Sequence, residues 1–222
     1  MPTKSEQLFK TASARLQIEA AVCSYGQTRV VDSVNLDVHP GEHIALIGSN
    51  GSGKTTLLRS ILGLHSLDAG RILMDNCHAI NSDDWKKRRA RIAWMPQRQV
   101  TGQFPLLVQE LLASSAEPAS ALSHAQELGL GNLLDRPLHG LSGGQLQRVF
   151  LARALGSLNG GAGLLLADEP TAALDFDGQA KVSKILCSLS VTVLVVTHDR
   201  AMADCCDRVA EMAGGRLREV RV

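Results

Sequence analysis

The stretch Gly48-Ser49-Asn50-Gly51-Ser52-Gly53-Lys54-Thr55 decides how the rest of the chain is read. Its spacing is a glycine, four residues, then Gly-Lys-Thr. It follows a short apolar run at 43–47 and precedes a segment at 54–62 that reads as a helix. Glycines let the backbone curl until successive N–H groups point into one concavity, which makes an anion site. A helix opening at Lys54 adds the positive end of its dipole. Lys54 brings a mobile charge suited to β- and γ-phosphates, and the Thr55 hydroxyl can complete part of an Mg²⁺ shell. A glycine-rich turn that matches by accident is the plain alternative, and the strand before and helix after argue against it.

A second element lies downstream. Leu164-Leu165-Leu166-Ala167-Asp168-Glu169 is an apolar strand ending in two acids. Mg²⁺ accepts few protein oxygens and keeps several waters. Asp168 at the strand end can therefore hold it through water opposite Thr55, leaving Glu169 to polarise a water that attacks the γ-phosphate. Side chains alternate along a strand, so neighbours can serve different partners. Taken alone, the pair also fits an exposed acidic turn; beside the phosphate cradle it does not.

Around these anchors, 16–23 and 30–38 alternate well enough for sheet strands, and 71–74 and 91–95 read as further strands. The texture changes between Gln97 and Leu141, where 108–114 and 119–128 carry alanine and leucine at helical spacing. Beyond it, 143–155 and 177–189 read as helices, 163–167 and 191–196 as buried strands, and 215–220 as the last strand. Strands apolar throughout suit an α/β sheet covered on both faces. The expectation is one domain with a helical insertion, without repeats or a splitting linker.

Composition narrows the class. The chain has 222 residues, 45% hydrophobic and 20% charged, with a formal net charge of +1. Nothing in that balance points to wrapping nucleic acid or lying on an anionic membrane, though a local patch stays open. The run Lys86-Lys87-Arg88-Arg89-Ala90-Arg91 reads most simply as a solvated surface turn; a contact for lipid headgroups or a partner is the alternative. Five cysteines (Cys23, Cys77, Cys187, Cys205, Cys206) are irregularly spaced and imply no disulfide framework, so reduced thiols are expected. Cys205-Cys206 could also be read as a soft-metal or redox pair, but lacks a second ligand pair. No apolar run approaches the roughly 20 residues a membrane span needs, and the polar N-terminus lacks a secretory leader pattern. A cytosolic protein that reaches a membrane only through a partner is expected.

Leu141-Ser142-Gly143-Gly144-Gln145, at the start of the 143–155 helix, resembles the signature sequence of ABC ATPases. Physically it repeats the cradle: a serine and glycines at a helix N-terminus form an anion site. In that family this loop closes over the ATP held by the opposite subunit. Gln97 in Trp94-Met95-Pro96-Gln97 resembles the Q-loop glutamine that touches Mg²⁺ or the attacking water. Ala172-Ala173-Leu174-Asp175 is similar to the D-loop, and His198 in Val196-Thr197-His198-Asp199 resembles the switch histidine that contacts the γ-phosphate. Tyr25 matches the aromatic platform for adenine by analogy alone, a plain tyrosine being the alternative. The resemblance spans about 16–218. Its departures are Ala167, where a bulkier residue is often found, and the glycine-rich Asn159-Gly160-Gly161-Ala162-Gly163.

What the resemblance implies is specific. The fold is a P-loop NTPase (RecA-like) core, residues 14–96 and 142–222, with an antiparallel β subdomain and an inserted helical subdomain at 97–141. The activity is ATP hydrolysis with Mg²⁺. Glu169, His198, Gln97 and Lys54 are the catalytic candidates. Nucleotide contacts fall on Tyr25, Gly48 to Thr56 and, across a head-to-tail dimer with a second copy, on Ser142 to Gln145 and Asp175. Thr55, Gln97 and Asp168 are the candidates for Mg²⁺. Integral membrane permease subunits and an extracytoplasmic substrate-binding protein are the implied partners, with the chain on the cytoplasmic face of the inner membrane. Because it stops soon after 215–220, no appended regulatory domain is expected. The texture of 88–97 and 104–112 resembles importers of metals (zinc, manganese) and of iron chelates or cobalamin. Export of lipid or lipoprotein is the alternative, since Leu166-Ala167-Asp168-Glu169-Pro170-Thr171 also resembles exporter ATPases. A kinase has no need of the Ser142–Gln145 loop, and chromosome-maintenance ATPases separate it from the cradle by a long coiled coil.

Overall fold

The computed structural model describes residues 13–97 and 105–220. At its centre is a six-stranded sheet in the order β10 (Arg216–Val220), β9 (Arg208–Ala213), β3 (His43–Ile47), β8 (Thr192–Val196), β7 (Leu164–Asp168), β6 (Ile92–Met95). All neighbours are parallel except the β9–β10 hairpin. In open sheets of this kind ligands gather outside the carboxyl ends of the strands. Here that edge carries the loop after β3, the acids after β7 and the histidine after β8.

A second sheet, β2 (Thr28–Val38), β1 (Leu16–Tyr25), β4 (Ala69–Met74) and β5 (Cys77–His78), is antiparallel throughout. The two faces of the central sheet explain why β7 is apolar at every position from Leu164 to Ala167. Leu164 and Leu166 pack with the antiparallel sheet and with Leu57, Leu58 and Ile61 of α1 (Lys54–Ile61). Leu165 and Ala167 face the other way, into a core shared with α5 (Gly143–Asn159) and with α3 (Val108–Ala113) and α4 (Pro118–Glu127). Alternation along the strand thus gives two buried faces, not one buried and one wet.

Elements α3 and α4 follow β6 and pack on α5; the sequence 98–104, including Phe104, lies outside the described residues. Helix α5 continues past the expected Leu155 to Asn159. A Cβ on Gly156 would sit 2.6 Å from the Ala121 Cβ, so this glycine admits α4 against α5. The glycine-rich approach to β7 begins at the last residue of α5: Gly160 is its C-cap, and a Cβ there would sit 2.6 Å from the Ala116 Cβ.

Three expectations are corrected. The basic run is not a turn: it forms most of α2 (Ser82–Ala90), started by a reciprocal cap between Asn81 and Asp84. Within it Arg88 is buried, its Nη2 donating to the Ile72 and Cys77 carbonyls at 2.8 and 2.9 Å, with the guanidinium 4.9 Å from the Trp85 ring centroid. Strand β9 forms where no strand is expected, between the acids at 204 and 207 and the glycines at 214 and 215. The cysteines are not all free. Cys187 at the end of α6 (Phe176–Cys187) is bonded to Cys205, the C-cap of α7 (Arg200–Asp204), with Cα atoms 6.1 Å apart. The pairing joins residues distant in the chain that the fold brings together. It removes Cys205 from any pair with Cys206, whose thiol burial pushes up to about 11. No group of three or more His, Cys, Asp or Glu among the described residues is placed to hold a metal. No helix among them is long and apolar enough to cross a membrane.

Candidate active site

The loop between β3 and α1 is shaped by two glycines that no other residue could replace. Gly48 has φ 140°, and a Cβ there would meet the Met212 carbonyl oxygen at 2.1 Å; Gly53 has φ 105°, and its Cβ would meet that of Val30 at 2.2 Å. The loop wraps the Lys54 ammonium, which donates to the Gly48 and Ser49 carbonyls at 2.6 and 2.8 Å. Burial pulls Lys54 below the ordinary lysine value, while the charges of Glu169 and Asp168 oppose that shift.

One turn into the chemistry, the Thr55 hydroxyl donates to Asp168 Oδ2 at 2.8 Å. Asp168 Oδ1 is buried and has no hydrogen-bond partner among the described residues. Burial pushes this carboxyl above the usual carboxylate range, against the Thr55 hydrogen bond and the Lys54 charge. A buried acceptor left open beside a threonine hydroxyl and an anion cradle is a hard-oxygen arrangement, which fits Mg²⁺.

Asp168 closes β7; Glu169 lies beyond it in the left-handed region, with φ 53°. The expectation that strand alternation separates the two acids is corrected accordingly. The left-handed residue turns the second carboxylate, and such backbone costs of order 1–3 kcal/mol unless its surroundings hold it. The Glu169 N–H donates to the Val196 carbonyl at 2.9 Å. Its carboxylate meets His198 Nε2 at 3.1 Å, and its own carbonyl accepts from Gln147 Nε2 at 3.2 Å. Burial pushes the Glu169 carboxyl upward and His198 pulls it back.

A cleft of about 450 Å³ gathers most of the candidates: Tyr25, Asn50, Gly51, Ser52, Gly53, Lys54, Thr55, Thr56, Gln97, Asp168 and Glu169 line it. Gly48 and Ser49 stand behind as acceptors for Lys54, and His198 is attached through Glu169. Tyr25 is 51% exposed, its ring tilted 43° to that of His65 at a centroid distance of 4.6 Å. Val30 and Val196, not singled out from sequence, complete the wall.

The remaining candidates lie elsewhere. Ser142 caps α5, its Oγ accepting from the Gln145 N–H at 3.2 Å while the Gln145 side chain accepts from the Ser142 N–H at 2.9 Å. Ser142, Gly143, Gly144 and Asp175 line a second cleft of about 490 Å³ that shares no residue with the first. Gly144 lies so close to Ala173 that a Cβ would be 3.0 Å from its carbonyl oxygen, and Asp175 caps α6 by accepting from the Gly178 N–H at 2.9 Å. One further residue has a hold on the first cleft: Gln147, polar in sequence and buried in the fold. Nothing in its local pattern marks it.

A glycine cradle between a central parallel strand and a helix, facing a threonine–aspartate pair and a turned glutamate, defines a P-loop nucleotide hydrolase. Residues 31–172 match the family described as ABC transporter. The zinc import ATP-binding protein ZnuC of Pseudomonas putida is 36% identical over 195 residues, covering 85% of this chain and 70% of that protein. The ZnuC of Pseudomonas entomophila is 37% identical, with coverage of 85% and 70%. Among solved structures, the dimeric post-hydrolysis state of the ATP-binding cassette MJ0796 bound to ADP and Pi aligns with TM-score 0.80 and 28% identity, over 93% of this chain and 99% of that one. This chain belongs to the ABC transporter family, as its ATP-binding, ATP-hydrolysing cassette.

Proposed function

We propose that this chain powers import of a metal ion, with zinc as the first candidate, through a separate membrane permease. The cargo reading is supported by the names of its relatives, zinc import ATP-binding proteins. The working unit in this reading is a head-to-tail pair of copies, and the observation that carries it is the division of two anion-suited sites between two separate clefts. A loop like Ser142–Gln145 has a use only if it meets a triphosphate bound by another copy.

In each half, the Gly48–Thr56 loop binds the phosphates, Lys54 exchanges its loop carbonyls for phosphate oxygens, and Tyr25 stacks on the adenine. Thr55, Asp168 and Gln97 would hold Mg²⁺, which supplies neutralisation of charge on the β- and γ-phosphate oxygens. Glu169 orients and polarises the attacking water, and His198 fixes that carboxylate. The partner copy contributes Ser142 to Gln145, with Asp175 at the boundary. Aligned donors held before reaction are usually the largest catalytic contribution. Residues 97–141 act as a helical subdomain that carries closure to the permease, near Gln97. The cassette then sits on the cytoplasmic face of the inner membrane, held by permease subunits served by an extracytoplasmic substrate-binding protein, with no nucleic-acid partner.

Glu169→Gln tests the pair. It keeps shape and removes the charge, so turnover falls about 10²-fold or more while ATP drives a stable dimer on size-exclusion chromatography. A variant that stays monomeric and fully active contradicts the assignment. Cargo is tested by zinc-limited uptake in cells carrying or lacking the chain and its permease; manganese, iron chelate or lipid dependence instead would redirect it.

A further inference from the structure

We infer that Gln147 is a positioning residue that ties the nucleotide cleft of one copy to the Ser142 loop of the same copy, and so couples the two sites of a pair. The inference rests on the paired-site reading above and adds a link that reading does not contain.

Gln147 is 4% exposed, although it lies on a helix whose neighbouring residues Leu146 and Arg148 reach partly to solvent. Burying an amide is unfavourable unless it is hydrogen-bonded. Its Nε2 donates to the Glu169 carbonyl at 3.2 Å. That carbonyl belongs to a residue held at φ 53°, where a non-glycine backbone needs outside support. The Ala172 N–H also donates to it, at 3.3 Å, so both lone pairs are used. The peptide that sets where the Glu169 carboxylate points is thus clamped from α5.

The same helix starts at Ser142. Gln147 stands five residues from that cap, about 7.5 Å along the axis, inside one rigid stretch of hydrogen-bonded backbone. A shift of the Ser142 end when it meets the partner's nucleotide therefore moves the amide that holds Glu169. Engagement at one site aligns the carboxylate at the other, and hydrolysis becomes a joint event.

The test compares wild type, Gln147→Met and Val149→Ala. Methionine keeps length and loses the donor; Val149, buried on the same helix, reports plain destabilisation. The expected result for Gln147→Met is kcat lowered about tenfold or more, since small misplacements of reacting groups are costly. ATP affinity should stay within about twofold, and a sigmoidal ATP dependence in wild type should become hyperbolic. Val149→Ala should lower the melting temperature and leave both kcat and the curve shape alone. Should Gln147→Met fail to fold, Gln147→Asn, which retracts the amide by one methylene, is expected to show the same split. Unchanged kcat and sigmoidicity in the Gln147 variant overturns the inference, as does a hyperbolic wild type that nonetheless dimerises with ATP. A wild type whose Glu169→Gln form never dimerises instead removes the paired-site reading beneath it.

Discussion

His198 Nε2 lies 3.1 Å from Glu169 Oε1, joining the turn after β8 to the turn after β7. The glutamate side chain is 8% exposed and the imidazole 51%, so the pair spans the boundary between buried site and solvent. A carboxylate meant to orient water gains from a partner that removes its rotational freedom. His198→Ala should therefore lower kcat about tenfold to a hundredfold without loss of nucleotide affinity. His198→Gln, which can still donate, should retain more. Steady-state hydrolysis with ATP binding measured separately decides it; equal losses in both variants would count against a positioning bond.

Ser142→Arg places a long cation where the α5 cap stands. The cap bond to the Gln145 N–H is lost, which costs roughly 0.5–2 kcal/mol, yet the cleft holding Lys54 shares no residue with this one. The monomer should bind ATP normally and hydrolyse it poorly even at saturation. Equilibrium binding beside a saturation curve checks both halves of that statement.

Asp168→Asn separates stability from function. Burial raises the Asp168 carboxyl, so the folded protein keeps this proton to higher pH than the unfolded chain. Stability is thus complete below the ordinary carboxylate range and falls as pH rises through the raised value. With metal chelated, wild type should lose melting temperature as pH rises above the ordinary carboxylate range, and Asp168→Asn should lose less, so that the variant melts higher than wild type at the alkaline end of the series. Added Mg²⁺ with ATP should stabilise wild type more than the variant, which keeps the phosphate cradle and loses one oxygen ligand for the metal. Melts across pH with and without metal read out both effects.

The Cys187–Cys205 bond closes a loop with a sequence separation of 18. Chain-entropy reasoning assigns such a loop about 3 kcal/mol, so reduction should lower the melting temperature by roughly 6–12 °C. Cys187→Ser should melt like reduced wild type and ignore added reductant. A melting point indifferent to reductant in both proteins would show that the bond contributes nothing.

Much of the site was legible because its chemistry is contiguous. Gly48 to Thr55 carry their own geometry, and Ser142 to Gln145 cap a helix with residues within one turn of each other. The paired apolar strands 163–167 and 191–196 announced a sheet buried on both faces. What stayed hidden depends on distant neighbours. Gln147 looks like any polar helix residue until Glu169 lies beneath it. The turn of Glu169 to positive φ has no glycine or asparagine to advertise it. Arg88 reads as one of five surface cations until the Ile72 and Cys77 carbonyls and the Trp85 ring surround it. Helix α2 has almost no apolar periodicity, and its one local sign, Asn81 three residues before Asp84, is easily passed over.

The bond between α6 and α7 has a topological result. The chain between Cys187 and Cys205 contains the whole of β8 and His198, so a central strand and the histidine that follows it are themselves part of a closed covalent hoop. Fraying from the carboxyl terminus stops at that hoop before it reaches the histidine. A protease that nicks the exposed turn at 198–200 would release no fragment until the sulfurs are parted.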